Sequence, residues 1–384
     1  LKVAHISDSH LGYLQYRLVD RRNDFLKAFK QAVERAIDER VDLIIHTGDL
    51  FETFHPDVST ISEAISVFKE IKDTGIPVFA ITGNHDRVLR RGYSPPHRIL
   101  KDLDLITLID PIGSLEYNGV FIAGMRYFPR TYMKSIKERF FSEFSEKAQK
   151  SDFSIFMFHQ GLDQYLYYDY AYELNISDLP DGFDYYAGGH VHSFIRTEFR
   201  GGVLSYAGST EFRSKREVKG GRRGFNIFNL ETKELQRVEL SNLREFFVVE
   251  TDEERAPNDL KELLEKVKSC SEKPVVLIDY TYEKLDIYSL DSLIREIKRN
   301  SLYLRVSENK KIRESSYVPV DTSKSYSEIY EEFMKEKGAP EEVLALGKQI
   351  VEGNVEDVPQ IVEGFLKEFL GETFNEFKKF SETK

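Results

Sequence analysis

Three short apolar runs, each ending in a polar cluster and separated by helical patterns, constrain this chain more than any other feature. Lys2–Ser7, Asp42–Thr47 and Ile76–Thr82 are rich in Val, Ile, Leu and Phe; they lead into Asp8-Ser9-His10, Gly48-Asp49 and Gly83-Asn84-His85-Asp86. Between them, Asp24–Arg40 places Phe25, Ala28, Phe29, Ala32, Val33, Ala36 and Ile37 at helical spacing. Thr60–Lys72 does the same with Ile61, Ala64, Ile65, Phe68 and Ile71. Continuous apolar strands alternating with amphipathic helices predict an α/β layered fold whose sheet is covered on both faces. Val120–Gly124, Ser154–His159, Tyr185–Gly189 and Val203–Gly208 add strands without clear intervening helices, which predicts a second, mixed sheet. The expected architecture is a sandwich flanked by helices, over residues 1–240.

After about Leu240 the pattern resets. Glu245–Thr251, Pro274–Tyr282 and Leu302–Val306 read as strands, with helices at Asp259–Ser269 and Leu290–Arg299, so residues 244–310 form a small α+β domain. Glu308–Ser316 is charged and polar; a linker is expected there and over 311–324. Residues 325–384 read as helical, with Tyr326–Lys337 and Val343–Val351 preceding a stripe of Ile361, Val362, Phe365, Leu366, Phe369 and Leu370.

Composition removes several classes. A chain of 384 residues with a 41% hydrophobic share can bury a sizeable core, yet no stretch approaches the roughly 20 apolar residues of a membrane span. The opening Leu1–Ile6 reads as a strand rather than a signal peptide. One cysteine, Cys270, excludes an intrachain disulfide and thiolate metal clusters, and suits a reducing, intracellular setting. The net charge of −11 is uneven: Ser325–Lys384 holds seven Lys against 14 acids, whereas Arg213, Lys215, Arg216, Lys219, Arg222 and Arg223 crowd a run containing one acid, Glu217. Local basic patches contact phosphates whatever the whole chain sums to.

Five strand ends carry metal-type ligands. To the three above are added His159 and Gly189-His190-Val191-His192. In an extended segment positions i and i+2 point the same way, so Asp8 with His10, and His190 with His192, are expected to aim at one spot. Asp8, His10, Asp49, Asn84, His159, His190 and His192 offer seven O and N donors and no thiolate, too many for one tetrahedral zinc. They suit two divalent ions about 3.5–4 Å apart, with Asp49, central in strand order, as the bridge. The alternative, ordinary polar strand ends and hydrogen-bonded histidines, suits any one of them taken alone. It does not suit the ordered set. His5 and His46, inside strands, are expected to be structural, and His97, after Pro95-Pro96, to lie at a surface or interface.

These motifs resemble the five motifs of the calcineurin-like binuclear metallophosphoesterases. Gly48-Asp49-Leu50-Phe51, Gly83-Asn84-His85-Asp86, His159-Gln160-Gly161, Tyr186–His192 and Tyr206-Ala207-Gly208-Ser209 are similar to the double-strand-break repair nucleases of the meiotic recombination eleven family, whose bacterial counterpart is SbcD. His5–Gly12 with Gln15-Tyr16 fits the archaeal-type members. The resemblance implies a metallophosphoesterase sandwich with a capping domain. It implies a DNA endonuclease and 3′–5′ exonuclease using two Mn²⁺, active as a homodimer with an SMC-like coiled-coil repair ATPase in a cytoplasmic, nucleoid-associated setting. By the same resemblance Asp8, His10, Asp49 and His192 would hold one ion and Asp49, Asn84, His159 and His190 the other. His85 would assist the leaving 3′ oxygen, with Asp86 orienting its ring. The helices Thr60–Lys72 and Ser94–Leu103 would pair two subunits, and Ile361, Phe365, Leu366 and Phe369 would grip the ATPase. One departure stands out: many relatives carry His after Gly-Asp-Leu-Phe, and this chain has Glu52, which puts exonuclease efficiency in question; His55 lies three residues on.

Arg87, Arg90 and Arg91 follow the Gly-Asn-His-Asp turn, and Arg213, Lys215 and Arg216 another loop; these are the expected DNA-phosphate contacts. Tyr165, Tyr167, Tyr168, Tyr170 and Tyr172 are placed either to stack on an unpaired base or to pack. Two other readings stay open. A small-substrate phosphodiesterase or phosphatase shares the fold, although the Val-Asp-Arg-Gly continuation of protein phosphatases is replaced by Leu50-Phe51-Glu52-Thr53. A DNA-end-binding scaffold with weak cutting is the other.

Overall fold

The computed structural model describes residues 1–87, 93–166, 172–282, 290–310, 325–336, 341–352 and 362. Arg90, Arg91, Tyr167, Tyr168, Tyr170, Ile361, Phe365, Leu366 and Phe369 lie outside these residues, as does the linker expected over 311–324. The chain divides into two compact units after Lys310.

The first unit opens with β1 (Lys2–Ile6), β2 (Leu43–Thr47), β3 (Val78–Ile81) and β4 (Thr107–Leu108), side by side and parallel. Helices Val19–Asp38 and Val58–Asp73 form the crossovers. The second begins at Asp57, whose Oδ1 accepts from the Thr60 amide at 2.9 Å. A second sheet follows with β5 (Ile112–Tyr117), β6 (Val120–Met125), β7 (Phe153–Phe158), β8 (Tyr185–Gly188), β9 (Ile195–Phe199) and β10 (Gly202–Tyr206), in the order β5-β6-β7-β8-β10-β9. β11 (Gly224–Asn229) returns antiparallel to β1, and β12 (Leu235–Glu239) completes the first sheet. Both sheets are therefore mixed.

Strand alternation sorts the core into layers. Val3, Leu43, Ile45, Phe79 and Ile81 meet Ile122, Ile155, Met157, Ala187 and Val203 between the sheets. The opposite faces of β1, β2 and β3 bury Ala4, Ile6, Ile44 and Ala80 under Ala28, Phe29, Ala64 and Phe68. The inter-sheet layer also holds His5, whose Nδ1 meets Tyr185 Oη at 2.8 Å and whose Nε2 meets Thr47 Oγ1 at 2.9 Å. It is a cross-sheet tie.

Two expectations about elements need correction. The segment between β6 and β7 does carry helix: Arg130–Ile136, a π-helical turn at Lys137–Phe141, and Ser142–Lys150. Its buried positions Met133, Ile136, Phe141, Phe144 and Ala148 are spaced by three, five, three and four. The wide turn accommodates one extra residue and breaks the 3.6-residue period that a sequence scan seeks. The linker expected from Glu308 instead begins as strand, because pairing in the third sheet runs on to Tyr282 opposite Lys310.

That third sheet holds β13 (Phe246–Asp252), β14 (Val275–Tyr282) and β15 (Tyr303–Lys310), all parallel, with crossover helices Ala256–Ser269 and Asp291–Asn300 and a core of its own. It is fastened to the first sandwich by Arg244, which forks onto both Asp24 oxygens at 2.6 and 3.0 Å, and by Tyr16 stacked on Tyr303 at 4.0 Å. In the second unit, helices Tyr326–Glu336 and Glu341–Glu352 pack together, with Tyr330 Oη donating to the Val343 carbonyl at 3.2 Å. Among the described residues no helix is long and apolar enough to cross a membrane.

Candidate metal centre

The polar strand ends meet at one mouth of the sandwich. β1 stops at Ile6 and β2 at Thr47, and the loops beyond them run side by side. The Asp8 amide donates to Gly48 O at 3.1 Å, His10 to Asp49 O at 3.0 Å, and Leu11 to Leu50 O at 2.8 Å. Within this ladder Asp8, His10 and Asp49 have φ of 51°, 46° and 53°, and His190 has 85°. The expected reason for Asp8 and His10 converging, an extended i, i+2 alternation, is therefore wrong; left-handed turns bring them together. Close approach also demands glycine. A Cβ on Gly48, itself at φ 96°, would lie 2.4 Å from His159 Nδ1, and one on Gly83 would lie 2.0 Å from Asp49 Oδ1.

All seven expected ligands come together. His10 Nε2 is 3.2 Å from His192 Nε2 and 3.9 Å from Asp49 Oδ2, while Asp8 Oδ1 is 3.7 Å from His192 Nε2. On the other side of Asp49, its Oδ2 is 3.3 Å from His159 Nε2, and Asn84 Oδ1 is 3.1 Å from His159 Nε2 and 2.9 Å from His190 Nδ1. Ligands bonded at about 2.1 Å to one ion and set at right angles stand about 3 Å apart. Three Asp, Asn or His donors on each flank of Asp49, all oxygen or nitrogen, fit a divalent ion on either side of it. The ligand atoms of Asp8, His10 and His192 lie within 4.8 Å of one another, and so do those of Asp8, Asp49 and His159.

Outer partners set the rings. His159 Nδ1 donates to Thr47 O at 2.6 Å, which leaves Nε2 facing the cluster, and His192 Nδ1 meets Glu217 Oε1 at 3.0 Å. Glu52 Oε2 lies 2.9 Å from His10 Nδ1, off the ring's N–H direction, so that contact is one of charge rather than a formed hydrogen bond. Burial alone would raise the Asp49 carboxyl, but His159, His10 and His85 around it hold it well below the usual range. Burial likewise opposes charge on Glu52 and Glu217, yet His10 and Arg213 for the first, and His192 for the second, pull each down to about 2. Desolvation, with His159 nearby, lowers His190 to about 4.

His85 stands beside this cluster, its amide donating to Asp49 Oδ1 at 2.8 Å and its Nδ1 meeting the Glu52 carbonyl at 3.0 Å. Asp86 does not orient that ring. Its carboxylate is buried, accepts from the Gly83 and Phe51 amides at 2.6 and 3.2 Å, and faces His97 Nε2 at 3.5 Å. It braces two ligand loops. His97 is correspondingly buried, not a surface residue, and sits edge-on to Phe51.

The expected DNA contacts fare unevenly. Arg213 forks onto Glu52, with Nη2 to Oε1 at 2.9 Å; Lys215 pairs with Asp279; Lys219 pairs with Glu250 and Arg222 with Glu239. Arg223 is buried against the His192 carbonyl at 2.6 Å. Most of the basic run is thus paired with acids of the same chain, Lys219 and Arg222 on the exposed surface. Arg87 lies over the Tyr127 ring, 4.6 Å from its centroid. Tyr165 packs edge-on against Tyr206, and Tyr172 is covered by Arg130. Three residues at the site were not foreseen: Glu217, Glu173 and Tyr127. Tyr127 Oη donates to Glu173 Oε1 at 3.0 Å, and the other Glu173 oxygen lies 3.8 Å from His190 Nε2. Only Glu217 left a trace in the sequence, as the lone acid in a basic run.

Residues 1–194 match the calcineurin-like phosphoesterase family. The chain is 35% identical to the DNA double-strand break repair protein Mre11 of Saccharolobus solfataricus over 80% of its length and 82% of that protein's. It is 32% identical to the protein of that name from Methanocaldococcus jannaschii, over 71% of this chain and 75% of that one. For Methanococcus maripaludis the identity is 31%, over 96% and 99%. The chain is a calcineurin-like phosphoesterase of the Mre11 family. Calcineurin-like phosphoesterases depend on divalent metal ions, and this Mre11-family chain is accordingly a metal-dependent phosphodiesterase, built on two mixed sheets flanked by helices.

Proposed function

We propose that this chain cuts phosphodiester bonds of DNA at double-strand breaks, as an endonuclease and 3′–5′ exonuclease, with two divalent ions and Mn²⁺ preferred. The observation that carries the reading is the convergence of seven oxygen and nitrogen donors from five chain segments beside His85. Asp8, His10, Asp49 and His192 would hold one ion; Asp49, Asn84, His159 and His190 would hold the other. Such ions, when bound, lower the pKa of water and offset charge on phosphodiester oxygens. The remaining work falls to side chains. A carbonyl only accepts, so His85 Nδ1 donates to Glu52 O, and Nε2 is the nitrogen that, with the ring as imidazolium, would give its proton to the leaving 3′ oxygen and leave the ring neutral.

DNA as substrate, rather than a small ester, is supported by relatives that carry the name of double-strand break repair proteins over nearly the whole length. Arg87 and Arg90, next to the Asn84-His85 turn, are the proposed phosphate contacts, with Arg216 a further one. Residues 1–240 would form the nuclease domain, and residues 244–310 would cap the DNA. The helices Val58–Asp73 and His97–Asp102 would pair two subunits. The region 325–384, through Ile361, Phe365, Leu366 and Phe369, would grip an SMC-like coiled-coil ATPase.

The test is to give the purified chain, with Mn²⁺, hairpin and single-stranded DNA, phosphopeptides and cyclic nucleotides in parallel. Cutting confined to DNA is expected, and faster turnover of phosphopeptides or cyclic nucleotides would overturn the reading. His85→Ser should lower DNA cleavage by at least about a hundredfold while Mn²⁺ and DNA binding persist. Equal cutting by the two proteins would remove His85 from its role.

A further inference from the structure

The four imidazoles of the cluster are not supported alike. On the side of His10 and His192, each ring has a carboxylate behind it: Glu52 Oε2 at 2.9 Å from His10 Nδ1, and Glu217 Oε1 at 3.0 Å from His192 Nδ1. Both supports are largely enclosed, with Glu52 19% and Glu217 11% exposed at the side chain. On the other side, His159 is backed by a neutral carbonyl, Thr47 O. The carboxylate near His190, Glu173, stands off at 3.8 Å and already accepts from the Gly161 amide at 2.8 Å and from Tyr127.

One residue holds the two close carboxylates in place. The Arg213 guanidinium forks onto Glu52, at 2.9 Å from Nη2 and 3.3 Å from Nε, while the Arg213 amide donates to Glu217 Oε2 at 2.9 Å. Ser214 Oγ adds a hydrogen bond to Glu217 at 2.9 Å. Enclosed carboxylates carry a desolvation cost that such partners offset.

We propose that Glu52 and Glu217 are positioning residues for one ion only, making the His10–His192 position the tighter of the two, with Arg213 as the clamp that sets both. This rests on the two-ion reading above. An anion behind an imidazole raises the ring's basicity and, where the ring N–H is donated to it as at His192, also fixes the tautomer that presents Nε2 inward; losing such a support costs about ten- to a hundredfold in metal affinity. Glu52 then has two separate tasks at the site. Its side chain serves His10, while its backbone carbonyl serves His85, so replacing the side chain leaves the His85 anchor in place.

The experiment is a titration of the metal-stripped full chain with Mn²⁺, following free Mn²⁺ by electron paramagnetic resonance. The wild type should bind two ions of unequal affinity. Glu52→Gln and Glu217→Gln should each weaken the tighter site by ten- to a hundredfold and leave the other within about threefold. Glu52→Asp, which keeps the charge, should recover part of the loss. Because glutamine is close to glutamate in shape, a purely structural role would leave binding unchanged in Glu52→Gln, and that result overturns the proposal. Equal weakening of both sites overturns it as well. If the wild type takes up no Mn²⁺, the two-ion reading falls and this inference with it; two ions bound normally in every variant removes the inference alone. Thermal melts of the metal-free proteins identify any variant that fails to fold, and the second glutamate then carries the test.

Discussion

Asp8, His10, Asp49 and His190 occupy a backbone region that side chains with a Cβ avoid, at a cost of about 1–3 kcal/mol each. The ladder between the first two loops over-determines three of them. Asp-x-His and Gly-Asp were legible because a ligand motif is local, and glycine marks the turn. Their outer supports were not, since Glu217 reaches His192 over 25 positions and Glu52 reaches Arg213 over 161. The role expected for Asp86 fails for a related reason: adjacency to His85 in sequence says nothing about which neighbour the carboxylate turns to. His5 offers a check at this scale. Burial, with Arg237 adding to it, lowers its imidazole to about 3, whereas the unfolded chain protonates it near 6.5. The unfolded state thus binds more protons as pH falls, so this contribution is complete above about 6.5 and drains toward 3. Urea denaturation of the metal-free chain should show about 3 kcal/mol less loss between pH 7 and pH 4 in His5→Gln than in the wild type. Parallel pH profiles would contradict it.

At the level of elements, strands buried on both sides announce themselves and edges do not. β1, β2, β3 and β7 are nearly continuous apolar runs, and were found. β9, with Arg196 and Glu198 exposed, and the helical stretch Arg130–Lys150, with its π turn, left weaker or broken periods. The buried strands also carry the energy of the sandwich. Ile155, fully buried between the sheets, should cost about 2–5 kcal/mol when replaced by Ala, read as a lower urea midpoint with an unchanged slope. A loss below about 1 kcal/mol would mean that the inter-sheet layer is not the packed core described above.

For the first unit as a whole, the three-sheet assembly turns on Arg21. It is fully buried, donates to Gln15, Asp24 and Glu211 at 2.8, 2.7 and 3.2 Å, and lies over the rings of Phe25 and Phe246. Removing one member of such a network strands the others. Arg21→Met should therefore destabilise the chain by about 3–5 kcal/mol, measured by equilibrium urea denaturation, and a neutral result would refute the network. The net charge of −11 foretold none of this, because it is silent on pairing: the basic run meets Glu52 and Asp279 at partly enclosed positions and Glu250 and Glu239 on the surface.

The donors are divided between layers: Asp8, His10, Asp49 and Asn84 follow strands of the first sheet, while His159, His190 and His192 follow strands of the second. The stacking of Tyr185 on Phe228 and the His5 tie therefore act as a caliper. The gap between the two halves of the donor set is gauged by how one slab of the protein seats on the other. A substitution far from the mouth that lets the slabs slide would mis-set that gap without touching a single ligand.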